Sequence, residues 1–336
     1  MLKGVGVSVV VPAYRAEKTI ERCLTALLGQ DYPKGAYEII VVDDGSPDRT
    51  GDIVKKFPVR YLRQSNSGPA SARNRGVGEA AGGIILFTDS DCVPETNWMS
   101  EMLKPFSDPR VAAVKGAYRT GQRGIVARFS QVEFEERFEM LKKAASIDMV
   151  DTYSAGFRKD VFLRMGGFDT SFPAANNEDT ELSYRMSKAG LKMVFTPGAI
   201  VCHLNHPDSV RRYARLKFSR GFWRMVVYKR FPDKMMKDTY TPRSLKVEIL
   251  MLFILAGTLP FAAIFPAKGV YLLAAEGAVL LAVMLPLIIF AFRKDPGIGV
   301  FMPFLLLLRA GAIGLGALRG ALTMTRADGR FIAARK

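Results

Sequence analysis

A chain of 336 residues, 49% of them hydrophobic, is long enough for a full soluble domain and a further segment. Its charge is lopsided: residues 1–206 hold 27 Lys and Arg against 25 Asp and Glu, which leaves +14 of the net +16 to residues 207–336. A basic region running straight into an apolar span favours an anionic membrane surface and argues against nucleic acid as a partner, while Cys23, Cys92 and Cys202 are too scattered for a zinc site or a disulfide framework and suit a reducing compartment.

The first apolar run, Val7 to Val11, is too short for a signal peptide and stops at Pro12, so it reads as a strand. Glu17 to Leu28 follows as a helix, with Ile20, Leu24, Leu27 and Leu28 at helical spacing, and Tyr37 to Val42 as a second strand. A helix over Asp48 to Phe57, a strand Val59 to Leu62, a helix Pro69 to Ala80 and a strand Ile84 to Phe87 continue the alternation. Four such units predict an α/β domain whose mainly parallel sheet is covered on both faces.

The connections after three of these strands are rich in chemistry: Pro12-Ala13-Tyr14-Arg15, Asp43-Asp44-Gly45-Ser46 and Asp89-Ser90-Asp91. All lie at the carboxyl edge, where open α/β sheets bind ligands. Asp89 and Asp91, one residue apart on a turn, can share a divalent cation that in turn holds a diphosphate. Asp43 has two readings: it accepts the ring N–H of uracil, or it turns the chain and caps the next helix. Gly68 to Asn74 opens a helix with small residues, so that free N–H groups and Arg73 can face phosphate oxygens.

Further on, Trp98 to Phe106 reads as a helix, Val111 to Ala117 as a strand and Gly124 to Ala145 as a helix in which Phe129, Val132 and Phe138 fit no single stripe. Both core packing and interfacial contact stay open for them. Gly166-Gly167-Phe168-Asp169 marks a turn, and Asn176-Asn177-Glu178-Asp179 leads into a helix that puts Asp179 in its first turn, where the dipole favours an ionised acid. His203 and His206 follow a strand over Ala199 to Val201, and an imidazole there is a candidate third metal ligand.

Val11-Pro12-Ala13-Tyr14, Val42-Asp43-Asp44-Gly45-Ser46, the Gly68 to Gly76 stretch with Ala72-Arg73-Asn74, Thr88-Asp89-Ser90-Asp91 and Gly166-Gly167-Phe168-Asp169 together resemble the family 2 glycosyltransferases of the Rossmann-like GT-A fold, over residues 5 to about 206. The resemblance implies a nucleotide-sugar site drawn from Pro12, Ala13, Tyr14, Glu17, Asp43, Gly68, Arg73, Asp89, Ser90 and Glu178. It also implies Mg²⁺ or Mn²⁺ held by Asp89, Asp91 and His203, and Asp179 as the general base that takes the proton of an attacking hydroxyl. Arg15 departs from the family, which usually carries Asn there.

After residue 206 the character changes. Residues 207–246 hold 12 Lys and Arg and 3 acids among Tyr213, Phe218, Phe222, Trp223 and Tyr228, the mixture of basic, amphipathic interfacial helices. Arg220 in this stretch is a candidate to reach back to the donor diphosphate; the Gln-x-x-Arg-Trp motif of processive relatives is absent. Residues 247–265 and 271–292 read as transmembrane helices, and the flanking charge places the catalytic domain in the cytoplasm of an integral inner-membrane protein. Glu276, inside the second span, marks a candidate acceptor contact. The stretch 298–324 contains Arg309 and Arg319 and reads as a re-entrant or interfacial pair of helical pieces, leaving a basic tail, 325–336, in the cytoplasm.

These readings add up to an inverting transferase that moves a sugar from a nucleotide donor, with UDP favoured, to a lipid-linked or membrane glycan acceptor. A sugar-1-phosphate nucleotidyltransferase is the rival enzyme, although a Gly-rich basic loop is missing after the first strand, and a non-catalytic nucleotide-binding membrane protein is the other alternative. A dinucleotide oxidoreductase is disfavoured because no Gly-x-Gly-x-x-Gly follows that strand.

Overall fold

In the structure, a computed structural model, residues 6–172 and 177–324 are described. Asn176 and the basic tail 325–336 lie outside the described residues. Two compact units group Met1–Gln122 with Phe138–His206, and Arg123–Arg137 with Pro207–Lys336.

The first unit alternates strand and helix: β1 (Val7–Ala13), α1 (Ile20–Leu28), β2 (Tyr37–Asp43), α2 (Thr50–Val54), β3 (Arg60–Arg63), α3 (Pro69–Glu79) and β4 (Ile84–Phe87). It continues with β5 (Cys92–Pro94), α4 (Trp98–Leu103), β6 (Val111–Arg119), α5 (Ile125–Leu141), β7 (Ala155–Arg158), α6 (Lys159–Arg164), α7 (Glu178–Lys188) and β8 (Lys192–His203). α1 starts three residues later than expected because the N–H groups of Ala16 and Glu17 are already held by Thr50 Oγ1, at 2.8 Å, and Asp48 Oδ2, at 3.4 Å. α2 is shorter than expected at both ends, since Asp48 caps Thr50 from outside and the chain tightens into three-residue turns before Pro58.

The eight strands form one sheet in the order β3-β2-β1-β4-β7-β6-β8-β5. The first four run parallel, as the alternation predicts. β7 then reverses against β4, β6 reverses again against β7, and β8 runs parallel to β6. Two reversals restore the direction, so His203 at the end of β8 emerges at the same edge as Ala13, Asp43 and Phe87. The short strands β5 and β7 escaped the sequence reading because three or four residues carry too little alternation to register.

The second unit contains α8 (Val210–Arg230), α9 (Pro232–Met236), α10 (Arg243–Ile264), α11 (Pro266–Lys294), α12 (Pro296–Gly299) and α13 (Met302–Met324). Among the described residues three helices, α10, α11 and α13, are long and apolar enough to cross a membrane. Where two shorter pieces were expected over 298–324, the stretch from Met302 is a single helix. Residues up to Arg137 of α5 group with this unit for a physical reason. Val126, Phe129 and Val132 join Tyr213, Leu280, Met284 and Leu306 in its apolar core, and Glu133 ties it electrostatically. Phe138, by contrast, packs on Tyr118 and Phe195 of the first unit. The missing stripe in this helix is explained: its two ends feed different cores.

A buried ionic cluster anchors the second unit. Glu133 accepts from Tyr213 Oη at 2.7 Å and Lys217 Nζ at 2.9 Å, while Arg309 Nη1 lies 3.6 Å from it and Arg137 Nη2 3.8 Å. Glu248, near the start of α10, is fully buried and accepts from Arg309 Nη2 at 2.8 and 3.1 Å. Burial opposes ionisation of Glu133, but Lys217, Arg309 and Arg137 outweigh it and hold its carboxyl down to about 2.

Candidate active site

The strand register sets the site. Ala13 lies beside Asp43 and Val10 beside Phe87, so the turns after β1, β2 and β4 converge on one edge. Pro12 and Ala13 are buried in β1 itself, Tyr14 is exposed at its end, and Arg15 adopts a left-handed conformation, φ 52°, with its N–H on Ser46 Oγ at 3.1 Å. An Asn fits that conformation more easily than an Arg, which gives the departure at this position a backbone cost. Glu17 is half-buried and accepts from the Arg49 N–H at 3.3 Å; Arg15, Glu17, Asp48 and Asn205 line an open cleft beside it.

Asp43 performs the turn-capping role. It is 1% exposed, its Oδ1 accepts from the Ser46 N–H at 2.8 Å, and its Oδ2 accepts from the Tyr61 hydroxyl at 2.7 Å. Burial and this carboxylate push the Tyr61 phenol up to about 12, so the hydroxyl stays a donor. The next residue, Asp44, was not singled out from sequence, yet it shapes the following loop. Its carboxylate takes the N–H groups of Ser67, at 2.9 Å, and Gly68, at 2.8 Å, and Gly68 sits at φ 88° where a side chain would be strained.

Arg73 is the hub. Buried at 3% exposure in α3, it donates from Nη2 to Asp89 Oδ1 at 2.8 Å and from Nη1 to Glu178 Oε1 at 3.0 Å, while its guanidinium lies over the Phe168 ring. A residue expected to face phosphate therefore gives an N–H to each of two carboxylates. Asn74 beside it clamps the Gly-Gly-Phe-Asp turn: Phe168 N–H donates to its Oδ1 at 2.9 Å, and its Nδ2 donates to the Phe168 carbonyl at 2.8 Å.

Asp91 and His203 meet because β5 pairs with β8 in a register that sets Cys92 opposite His203. Nε2 of His203 is 3.9 Å from Asp91 Oδ1, and Asp91, Cys92 and His203 each bring a ligand atom within 4.8 Å of the others. Cys92 is the poor member: burial, with Asp89 and Asp91 nearby, raises its thiol well above the ordinary value and keeps it neutral. The acid oxygen is the donor that suits Mg²⁺ or Mn²⁺, and the imidazole adds a softer nitrogen donor beside it. Asp89, expected as a ligand, already gives one oxygen to Arg73. Ser90 is half-buried in the turn between the two acids.

Asp179 stands half-buried in the first turn of α7, after Asn177 in the left-handed conformation, φ 69°. Its Oδ1 accepts from the Thr180 N–H at 2.7 Å. Glu178 is buried on Arg73, so the two neighbouring acids have different surroundings. Arg220 lies exposed on α8, in the second unit.

A Rossmann-like sheet with acidic turns at one edge and a carboxylate opening a later helix defines a nucleotide-sugar transferase of GT-A type. Residues 8–166 match the family model "Glycosyl transferase family 2", so this stretch of the chain carries a domain of that family. It is similar to the glycosyltransferase AglE of Haloferax volcanii, 29% identical over 261 residues, covering 76% of this chain and 81% of that protein. The probable glycosyltransferase YdaM of Bacillus subtilis is 32% identical over 234 residues, 64% of this chain, and the chain spans about half (54%) of its length. Among solved structures, the mannosyltransferase PcManGT of Pyrobaculum calidifontis, in complex with GDP-Man and Mn²⁺, aligns over 94% of this chain and 86% of its own, with a TM-score of 0.60 at 20% identity, a likeness of fold.

Proposed function

We propose that this protein is an inverting glycosyltransferase that transfers a sugar from a nucleotide donor to a lipid-linked acceptor at the cytoplasmic leaflet of the inner membrane. The observation that carries the reading is the Arg73 bridge, which holds Asp89 of the acidic turn and Glu178, the neighbour of Asp179, on one guanidinium. Asp179 takes the proton of the acceptor hydroxyl as its oxygen attacks the anomeric carbon, and the bond to the donor's diphosphate oxygen breaks in the same displacement. One displacement inverts the anomeric centre.

Asp91 and His203, with the second oxygen of Asp89, are the residues to hold Mg²⁺ or Mn²⁺, which when bound neutralises charge on the leaving diphosphate. Arg73 keeps Asp89 aimed through the bond from Nη2 to Oδ1. UDP is the favoured donor nucleotide through Asp43, whose contact with uracil would use the lone pairs that Ser46 and Tyr61 leave over. The acceptor class follows from the apolar helices α10 and α11.

The test is transfer in detergent with a panel of UDP-, GDP- and dTDP-sugars, Mn²⁺ and a membrane lipid extract, alongside Asp179→Asn. Turnover of one donor into lipid with inverted anomeric configuration, lost on chelation and in the variant, is the expected result. Retention of configuration would overturn the single displacement. Pyrophosphate release from a nucleotide and a sugar phosphate would favour the nucleotidyltransferase, and nucleotide binding without turnover on any donor the non-catalytic alternative.

A further inference from the structure

Three helices qualify as membrane spans by length and composition, but the packing and the charges around the third set it apart from the other two. α13 runs alongside α8 at backbone contact. A Cβ on Gly316 would collide with the carbonyl of Phe218, one on Gly221 with the carbonyl of Ile313, and one on Gly320 would sit 2.8 Å from the carbonyl of Phe222. Gly316 meets Phe218, Gly221 meets Ala317 as well as Ile313, and Gly320 meets Phe222 and Met225, so contacts advance along both chains together and the two helices point the same way. The partnership extends back to Arg309 and Tyr213, which share Glu133, so it covers about 17 Å at the α-helical rise.

A crossing α13 would place Gly316 within a hydrocarbon layer about 30 Å thick, and Phe218 of α8 with it. α8 cannot follow: Arg215 and Arg220 flank that contact and are exposed, as is Arg319 on α13 itself, whose guanidinium lies 5.9 Å from the centre of the Phe218 ring. Exposed cations of this kind belong at a bilayer surface, where their heads meet lipid phosphate. Phe304, Leu307, Leu315, Leu318 and Leu322 are the exposed apolar residues of α13, and they supply the complementary half of an interfacial element. Where α13 touches α10, at Glu248, Ile249 and Phe253, it meets the first half of that helix. By contrast α10 and α11 form a hairpin turning at Phe265, closed by Gly269 against Ala262 and by Thr258 on Glu276 at 2.8 Å.

We infer that α8 and α13 form a parallel helix pair lying in the headgroup layer of an anionic phospholipid leaflet, so that α10 and α11 are the two crossings and residue 323 ends on the same side as residue 234. This rests on reading α10 and α11 as membrane-spanning and is independent of the sugar, donor and acceptor. α8 contributes the cations, α13 the apolar anchor.

Single cysteines are introduced at Lys234, Lys268, Leu318 and Thr323 of the full chain, with the unaltered protein as the labelling blank. Each is probed with a membrane-impermeant maleimide from either side of sealed vesicles. Lys234 and Thr323 should label from one side and Lys268 from the other. Labelling of Thr323 from the Lys268 side would overturn the pair, whereas labelling of all three from one side would overturn the hairpin reading on which it rests. With a bimane at Leu318, reconstitution into phosphatidylcholine containing phosphatidylglycerol should give a larger blue shift than phosphatidylcholine alone, and stronger quenching by shallow than by deep nitroxide lipids. Deeper quenching dominating in both lipids would also refute it.

Discussion

Replacing Arg73 by Met should both destabilise the first unit and abolish transfer, and the two effects can be separated. Met fills much of the same volume, so what is lost is charge and hydrogen bonding. On one side Glu178, 3% exposed, loses its guanidinium at 3.0 Å and remains a buried carboxylate without that cation; breaking such a pair costs about 3–5 kcal/mol. On the other side Asp89 is 28% exposed, so solvent replaces much of that bond and its share is at most about 1 kcal/mol. A total of about 4 kcal/mol, measured as a fall in thermal midpoint in detergent, should be largely recovered in the Arg73→Met/Glu178→Leu double variant, which removes the buried carboxylate. Transfer should not recover, because Asp89 still lacks the group that aims it. If the double variant is as unstable as Arg73→Met alone, the cost does not come from Glu178 and the hub assignment fails.

Other expectations follow from the same contacts. His203→Ala should weaken Mn²⁺ binding by roughly tenfold or more, read by calorimetry with donor nucleotide present, while Cys92→Ser should leave it within about twofold because the buried thiol stays protonated. Asn74→Ala removes both hydrogen bonds to Phe168 and should lower the thermal midpoint by the equivalent of about 1–3 kcal/mol; an unchanged midpoint would show that the turn holds itself. Glu133 has a folded-state pKa depressed from 4.5 to about 2, so its contribution is present above the unfolded value and drains away as pH falls between these two. The thermal midpoint of the unaltered protein should therefore drop more steeply across that window than that of Glu133→Gln/Lys217→Met.

The sequence made the parallel half of the sheet legible because each strand ends in a turn whose acids or glycines punctuate the pattern: Asp43 after β2, Asp89 after β4, Gly68 before α3. Asp179 was legible through its place at a helix start. Relations between distant residues were not. Arg73 and Glu178 are 105 positions apart, and nothing in the local pattern of either says that an arginine opening a helix turns inward to a carboxylate. Asp44 looked like half of a turn dipeptide, yet its carboxylate gathers the Ser67 and Gly68 N–H groups across more than twenty residues. Arg309 read as a charge at odds with an apolar stretch because its neutralising partners, Glu133 and Glu248, come from two other helices.

The pairing of β5 with β8 has a consequence for synthesis. Asp91 is made early, but His203, its partner, belongs to the last strand of the sheet. Chains emerge N-terminus first and domains fold as units, so a nascent chain lacks this imidazole until nearly the whole sheet is made, just before the basic and apolar helices follow. The Asp91–His203 pair at the sheet edge is thus completed only as synthesis passes from the sheet to the basic and apolar helices.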